Sequence, residues 1–353
     1  MTLIADVQEP SKISTNNIAL WHQYLRDARY QAAAFLSPEF SRACERAYGS
    51  ARVAVLHEDG DVIGFFPFQF SGPFASKLGY AVRIGEELSD CAGVVARDGT
   101  SIPERKLLRI CSLTGYHVSH LPLQQKEIRL DRAPTDSEIA KGHLINLSDG
   151  PEAYLENLTA ANVDFVRDTE RRMRRLAKDL GPIKYRSYPR PTSDQVRSIV
   201  ERKRLQYRAT KAEDVFAASS RLTLLLELTR VDSDFCRLHV SELCADEDVI
   251  ASHIGLLGQG TLNYWFPVYE PDLRKYSPGR LLLWHTIQHA KDDGITLINR
   301  GEGDTQAKRD FSNAEQYFAR RLMVRDGVAG VIARGFSALD WRLSTLRRVL
   351  ARE

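Results

Sequence analysis

The sequence predicts an α+β fold of mixed, mostly antiparallel sheets flanked by helices. Two β-rich runs flank Glu58-Asp59-Gly60-Asp61 in the first half, and another pair flanks Ala245-Asp246-Glu247-Asp248 in the second. Short acidic links between runs rich in β-branched and aromatic residues are hairpin signatures. Segments with apolar residues at helical spacing lie on either side of each pair, so neither sheet is alone.

In chain order, residues 18–48 read as helical, with Leu20, Tyr24 and Leu25 on one face and a helix start at Ser37-Pro38-Glu39. Strands at 51–56 and 62–70 follow across the first acidic turn. Gly72, Gly79, Gly85, Gly93 and Gly99 then punctuate short apolar pieces, 105–113 reads as a helix and 116–123 as a strand. Residues 131–151 are polar and carry Pro134, Gly142, Gly150 and Pro151, which places a boundary near 150. Helices are expected at about 151–180, 193–211 and 219–230, and a three-strand meander at 236–243, 249–257 and 261–269. A helix at 279–292, a strand at 295–299, a short helix at 304–311 and a strand at 316–324 complete the second half. Its order, β-β-β-α-β-α-β, has a looser counterpart in the first half, which suggests a degenerate structural duplication. Phe336, Leu339, Leu343, Leu346 and Leu350 recur at helical spacing and read as a docking helix. The expected division is 1–150, 151–335 and 336–353.

Composition narrows the function. With 353 residues, 43% hydrophobic and 27% charged, the chain has material for two ordinary cores and is not disordered or fibrous. A net charge of +3 leaves attraction to polyanions to local clusters. Cysteines 44, 91, 111, 236 and 244 contain no CxxC pair, so reduced thiols in a cytoplasmic protein are expected, without a disulfide framework or a cysteine zinc site. Asp6 and Glu9 stand where a signal peptide needs a basic start, and no apolar window is long enough to span a membrane. His285 and His289 are one turn apart and His117 and His120 are close in sequence, but neither pair has a third ligand at metal spacing, so no metal is expected. Neither a nucleophile elbow nor a GxxxxGK[ST] phosphate loop occurs, and Gly301-x-Gly303 lacks the third glycine of a dinucleotide site.

The stretch that carries chemistry is Arg274-Lys275-Tyr276-Ser277-Pro278-Gly279-Arg280, after a strand and before an amphipathic helix. A helix start offers unpaired N–H groups and the positive end of the dipole. Pro278 suits the first turn, Gly279 admits close approach, and three basic side chains flank the corner, so a diphosphate would fit. An ordinary helix start with solvated charges is the plain alternative. Residues 160–211 add fifteen Lys or Arg against six Asp or Glu, with Arg167, Arg171, Arg174 and Lys178 on one helical face. That face reads either as solvated or as a platform for CoA's 3′-phosphate, an acidic polysaccharide intermediate or tRNA.

Strand order and loop together resemble the GNAT superfamily of acetyltransferases, whose pyrophosphate loop reads Arg/Gln-x-x-Gly-x-Gly/Ala. Arg274-x-x-Ser277-x-Gly279 fits it with serine for the first glycine. Residues 150–325 are more closely similar to the CelD/BcsL acetyltransferases of cellulose and exopolysaccharide biosynthesis. That family shows Ala-x-His, Ser-Pro-Gly and Asp-x-Gly-x-Gly-Asp-x-x-Tyr-Lys; here stand Ala251-Ser252-His253, Ser277-Pro278-Gly279 and Asn299-Arg300-Gly301-Glu302-Gly303-Asp304-Thr305-Gln306-Ala307-Lys308. Gly64-Phe65-Phe66-Pro67 and Ser89-Asp90 carry a weaker match in the first half. Asn299 replaces the family's Asp and Ala307 its Tyr.

The resemblance implies a tandem GNAT-like fold, related in architecture to the FemABX aminoacyltransferases. It also implies direct transfer from acetyl-CoA, or another acyl-CoA, to an amine or hydroxyl of a small-molecule or glycan-precursor acceptor. Residues 274–280 would hold the cofactor, His253 would be the base, Asp304 a second catalytic candidate or an N-cap, and Lys308 a substrate contact. His253 and Asp304 each have a purely structural alternative. A FemABX-like enzyme using aminoacyl-tRNA and a catalytically inactive GNAT-like binding module, the latter motivated by Asn299 and Ala307, are the competing readings.

Overall fold

A computed structural model describes residues 2–27 and 33–350, with the side chains of Ala33 and 340–350 left aside. In chain order the principal elements are β1 (Leu3–Gln8), α1 (Thr15–Asp27), α2 (Pro38–Tyr48), β2 (Ala51–Glu58), β3 (Asp61–Phe70), α3 (Pro73–Leu78), β4 (Tyr80–Arg83), α4 (Glu104–Ile110), β5 (Gly115–Pro122), β6 (Ile139–Asn146), α5 (Pro151–Ala161) and α6 (Val163–Leu180). There follow β7 (Ile183–Tyr188), α7 (Ser193–Thr210), α8 (Ser219–Leu228), β8 (Cys236–Ala245), β9 (Asp248–Gly258), β10 (Thr261–Tyr269), α9 (Pro278–Gln288), β11 (Leu297–Glu302), α10 (Gln306–Arg309), β12 (Ala314–Val324) and α11 (Val328–Leu350).

The chain forms two compact units, one of residues 1–140 and 317–353, the other of 141–316. In unit 1 the strands run β1-β2-β3-β4-β5-β12, antiparallel except for the parallel pair β4–β5. Phe66, Phe68, Tyr116 and Val118 from this sheet and Leu107 and Leu108 of α4 form one buried cluster. Ser37 opens α2 by accepting from the Phe40 amide, and Gly49 closes it in the left-handed region, so this helix is set by its own caps. The expectation of a docking helix meets α11, which packs on β5 so closely that a Cβ on Gly115 would lie 2.7 Å from Cβ of Ala333. Phe336 packs edge-on against Tyr80 at 4.8 Å, whereas Leu343, Leu346 and Leu350 fall outside the described side chains.

In unit 2 the order is β6-β11-β10-β9-β8-β7, antiparallel except for β10–β11. The meander β8-β9-β10 stands where the acidic turn predicted it, and α9 returns across it. Leu243, Ala251, Leu281, Leu282 and Tyr276 pack on one another, and Leu257, Leu262, Tyr264, Leu283 and Ile287 continue that layer toward α5 and α6. Strand β6 occupies the stretch expected as a polar crossover, because Ala140, Leu144 and Ile145 bury even though the flanks are polar. All five cysteines are free and buried. Among the described residues no helix is long and apolar enough to cross a membrane and no cluster of three metal-ligating side chains occurs.

Candidate active site

The loop after β10 makes a 3-10 turn over Pro271–Tyr276 and ends at Ser277, whose φ of 57° puts it in the left-handed region. The proline that follows disfavours right-handed α backbone at Ser277, and its own fixed φ starts α9. Tyr276 is buried and its hydroxyl donates to Asp179 Oδ2 at 2.6 Å, which ties the turn to α6. Arg172 reaches from α6 to the same corner, donating to the Lys275 carbonyl at 2.9 Å and the Ser277 hydroxyl at 3.2 Å. Arg280 donates to Asp168 Oδ2 at 2.8 Å, and its guanidinium lies 4.7 Å from the Phe165 ring centroid. The arginines around Asp168, Arg172 first, hold its carboxyl below the usual range. Arg274 and Lys275 are exposed.

The backbone donors at this corner divide. The Ser277 amide donates to the Arg274 carbonyl, and those of Arg280 and Leu281 return to the Ser277 carbonyl. Gly279 is the second residue of α9, so its amide has no acceptor within that helix. A Cβ on Gly279 would meet only Tyr269, at 3.8 Å, so the protein itself has room for a side chain there.

Beside this loop the parallel strands part. Pairing of β10 with β11 stops at Asn263 opposite Asn299, while β10 runs on to Tyr269 and β11 to Glu302. On the other edge of β10 a bulge at Trp265 shifts its register with β9, with Ile254 opposite Phe266 but Gly255 opposite Tyr264. The last rung is pinned by amides: Asn299 donates to Asn263 Oδ1 at 3.2 Å and accepts from Gln316 at 2.7 Å and from the Gly301 amide at 2.9 Å. The family's Asp would offer Asn263 Oδ1 no donor, so asparagine at 299 suits its neighbours here.

His253 lies on β9, fully buried, stacked on Tyr264 with ring centroids 3.6 Å apart. Its Nδ1 is 3.4 Å from the Ser241 hydroxyl, and its Nε2 has no partner. Burial, then His239 and Arg300, holds its pKa well below 6.5, so the imidazole is neutral. Asp304 is exposed and stands one residue before Thr305, the N-cap of α10, so the cap expected at 304 belongs to its neighbour. Its carboxylate accepts from Arg309 and from His143 Nε2, both at 2.9 Å, and these keep its pKa below the ordinary value. Lys308 donates to the carbonyls of Glu302 at 2.5 Å and Gly301 at 3.4 Å.

The structure therefore gathers 274–280 with the arginines of α6, and His253 with Tyr264 and Arg300. No hydrogen bond among the described residues joins His253 to Asp304 or Lys308. Arg172 was missed because helix phase alone does not reveal which arginine meets the loop. Arg300 and Tyr264 were missed although Arg300 stands inside the quoted motif, where a bulky cation beside Gly301 was a usable signal.

Residues 164–309 match the family described as an acetyltransferase (GNAT) domain. No curated protein matches the chain in sequence. Among solved structures, a conserved protein of unknown function from Bacteroides thetaiotaomicron superposes with a TM-score of 0.55 at 11% identity, covering 90% of this chain and 100% of that one. FemX superposes with a TM-score of 0.54 at 9% identity, covering 90% and 97%. A tandem GNAT protein from the clavulanic acid biosynthesis pathway gives 0.49 at 11% identity, over 92% and 100%. The match lies inside unit 2 and spans less than half of the chain: the fold is tandem GNAT-like, and residues 164–309 are similar to GNAT acetyltransferase domains.

Proposed function

We propose that the chain is an acyl-CoA-dependent N- or O-acyltransferase, with acetyl-CoA as donor and a sugar-containing or cell-envelope precursor as acceptor, in the manner of the CelD/BcsL family. The observation that carries this reading is the conjunction, in unit 2, of strands that part after Asn263 and Asn299 with a Pro278-Gly279 helix start whose Gly279 amide has no acceptor within α9. Bound acyl-CoA would supply the activated thioester. The Gly279 amide, the positive end of α9 and the exposed Arg274 and Lys275 fit its diphosphate, and Gly279 leaves the space a phosphate oxygen needs. Arg172 holds the loop in shape through Lys275 and Ser277.

In this reading His253 is a positioning residue: burial holds its pKa so far below 6.5 that it is a weak proton acceptor. It sets the plane of Tyr264 at the edge of the opening. Asp304, held ionised, orients His143, and Lys308 braces the backbone of 301–302. The aminoacyl-tRNA alternative gains nothing from α6, whose arginines are largely engaged within the helix: Arg171 and Arg172 with Asp168, Arg174 with Glu170, Arg175 with Asp179.

Ser277→Glu tests the loop. It places a carboxylate beside Arg172 and against the helix start, and CoA affinity measured by calorimetry is expected to fall by at least about tenfold. Unchanged affinity in a folded variant overturns the loop assignment. Release of CoA thiol from acetyl-CoA across sugar-nucleotides and amines then identifies the acceptor class, and binding without turnover on any acceptor favours the inactive module.

A further inference from the structure

The first residues beyond the last β10–β11 rung are Tyr264 and Arg300. The Arg300 guanidinium lies 5.5 Å from the Tyr264 ring centroid, and His253 stacks against the same ring. Three atoms of this cluster, Arg300 Nη1, Tyr264 Oη and His253 Nε2, are covered and have no hydrogen-bond partner. Among the described residues no carboxylate pairs with Arg300; its electrostatic neighbours are the phenols of Tyr264 and Tyr154, which burial keeps protonated. The Tyr154 hydroxyl is already given to the Phe311 carbonyl at 2.5 Å. Two arginines of unit 1 differ from Arg300: Arg321 has the Glu104 carboxylate at 3.1 Å, and Arg83 has the Ser89 carbonyl at 2.7 Å. A half-buried guanidinium with a covered, unpartnered nitrogen and a buried phenol without an acceptor are costly, and their occurrence together where β10 and β11 stop pairing implies a ligand that satisfies both.

We propose that Arg300 is a specificity-determining residue that receives a carboxylate of the substrate, with the Tyr264 hydroxyl as second donor. The guanidinium fork matches two carboxylate oxygens. Charge selects the class: with the imidazole neutral the cluster carries one positive charge, which a carboxylate balances, whereas a phosphate dianion would leave excess negative charge in a covered site. The carboxylate belongs either to the acceptor, as in an amino acid or an acidic sugar, or to the far end of a dicarboxylic acyl group. This choice of source rests on the acyltransferase reading; carboxylate binding itself does not.

The test uses the full chain in two stages. Thermal unfolding is followed in acetate or succinate against chloride at equal ionic strength. The wild-type midpoint is expected to rise with carboxylate, that of Arg300→Gln to be indifferent, and Arg300→Lys, which keeps charge without the fork, to respond weakly. No specific rise in the wild type, or an equal rise in Arg300→Gln, overturns the proposal. Then kcat/KM is compared for succinyl-CoA against butyryl-CoA with a neutral amine, and for alanine against alaninamide with acetyl-CoA. One pair is expected to favour its carboxylate member by roughly tenfold to a hundredfold, carried by KM and lost in Arg300→Gln. No preference in either pair, or one that Arg300→Gln retains, overturns it. Titration of the wild type with CoA separates the two failures: absence of CoA binding removes the acyltransferase reading and leaves the carboxylate response to stand or fall alone.

Discussion

In unit 1 the helix between the parallel strands, α4, starts with Glu104, a carboxylate almost wholly buried against Arg321 at 3.1 Å. The corresponding helix of unit 2, α9, starts with Pro278-Gly279-Arg280 and has no acid in its first turn. Beyond the last parallel rung of β4 and β5, Val82 opposite His117, comes Arg83, which donates to the Ser89 carbonyl and the Ser119 hydroxyl with Asp90 nearby. Beyond the last rung of β10 and β11 comes Arg300, with none of these. One strand order thus has two outcomes. Unit 1 supplies its own anion and its own acceptors, and unit 2 leaves both places for something else.

The sharpest test removes one charge from each unit. Glu104→Gln strands Arg321 in the core and is expected to cost about 3–5 kcal/mol in chemical denaturation. Arg300→Gln removes a cation that has no carboxylate partner among the described residues and is expected to be neutral or stabilising. Equal losses would erase the contrast. Next in size is Gly255→Ala, whose Cβ would meet His253 Cε1 at 2.6 Å, Leu262 Cδ1 at 2.7 Å and the Asn263 carbonyl at 2.8 Å. One of these is backbone, so the clash cannot be relieved by a rotamer, and a lowered Tm equivalent to about 1–3 kcal/mol is expected.

Acid should separate the units further. His285 on α9 has Nε2 3.1 Å from Met173 Sδ and Nδ1 unpartnered; burial, with His289 second, lowers its pKa from 6.5 to about 4. Between those values the unfolded chain binds the extra proton, so stability rises with pH across this window and is lost on acidification, by about 3 kcal/mol. Protection factors of unit 2 amides, with exchange corrected for the intrinsic rate at each pH, are expected to fall between pH 6.5 and 4, and His285→Gln should flatten that response. The smallest stability change belongs to Gly279→Ala: helix propensity predicts a gain of up to about 1 kcal/mol, while CoA binding weakens by about tenfold because the methyl occupies the phosphate's place. A stable Gly279→Ala chain with full CoA affinity would show that the Gly279 amide serves no ligand.

The meander of unit 2 was legible because Ala245-Asp246-Glu247-Asp248 and Gly258-Gln259-Gly260 bound runs whose burial is nearly continuous. The helix start at Pro278 was legible because proline fixes it locally. Strand β7 was not read: Ile183-Lys-Tyr-Arg-Ser-Tyr is an edge strand, held by β8 on one side, and its polar residues carry no periodic core signal. Strand β1 escaped for the same reason. At the site, loop chemistry is local and was found, whereas the solitude of Arg300 is a tertiary property. An arginine reads alike in sequence whether or not a carboxylate awaits it. His253 shows the converse: its motif drew attention, but only packing reveals that both faces and edges of the ring are covered.

Unit 1 is assembled from both ends of the chain, with unit 2 spliced between. Strand β12, which pairs with β5 from Phe318 opposite Pro122 to Val324 opposite Gly115, is therefore the last strand of either unit to leave a translating ribosome. Until it does, β5 lacks its partner on that side and presents a bare edge able to recruit any passing strand. The sheet of unit 1 is therefore completed only by a strand made about 190 residues after β5.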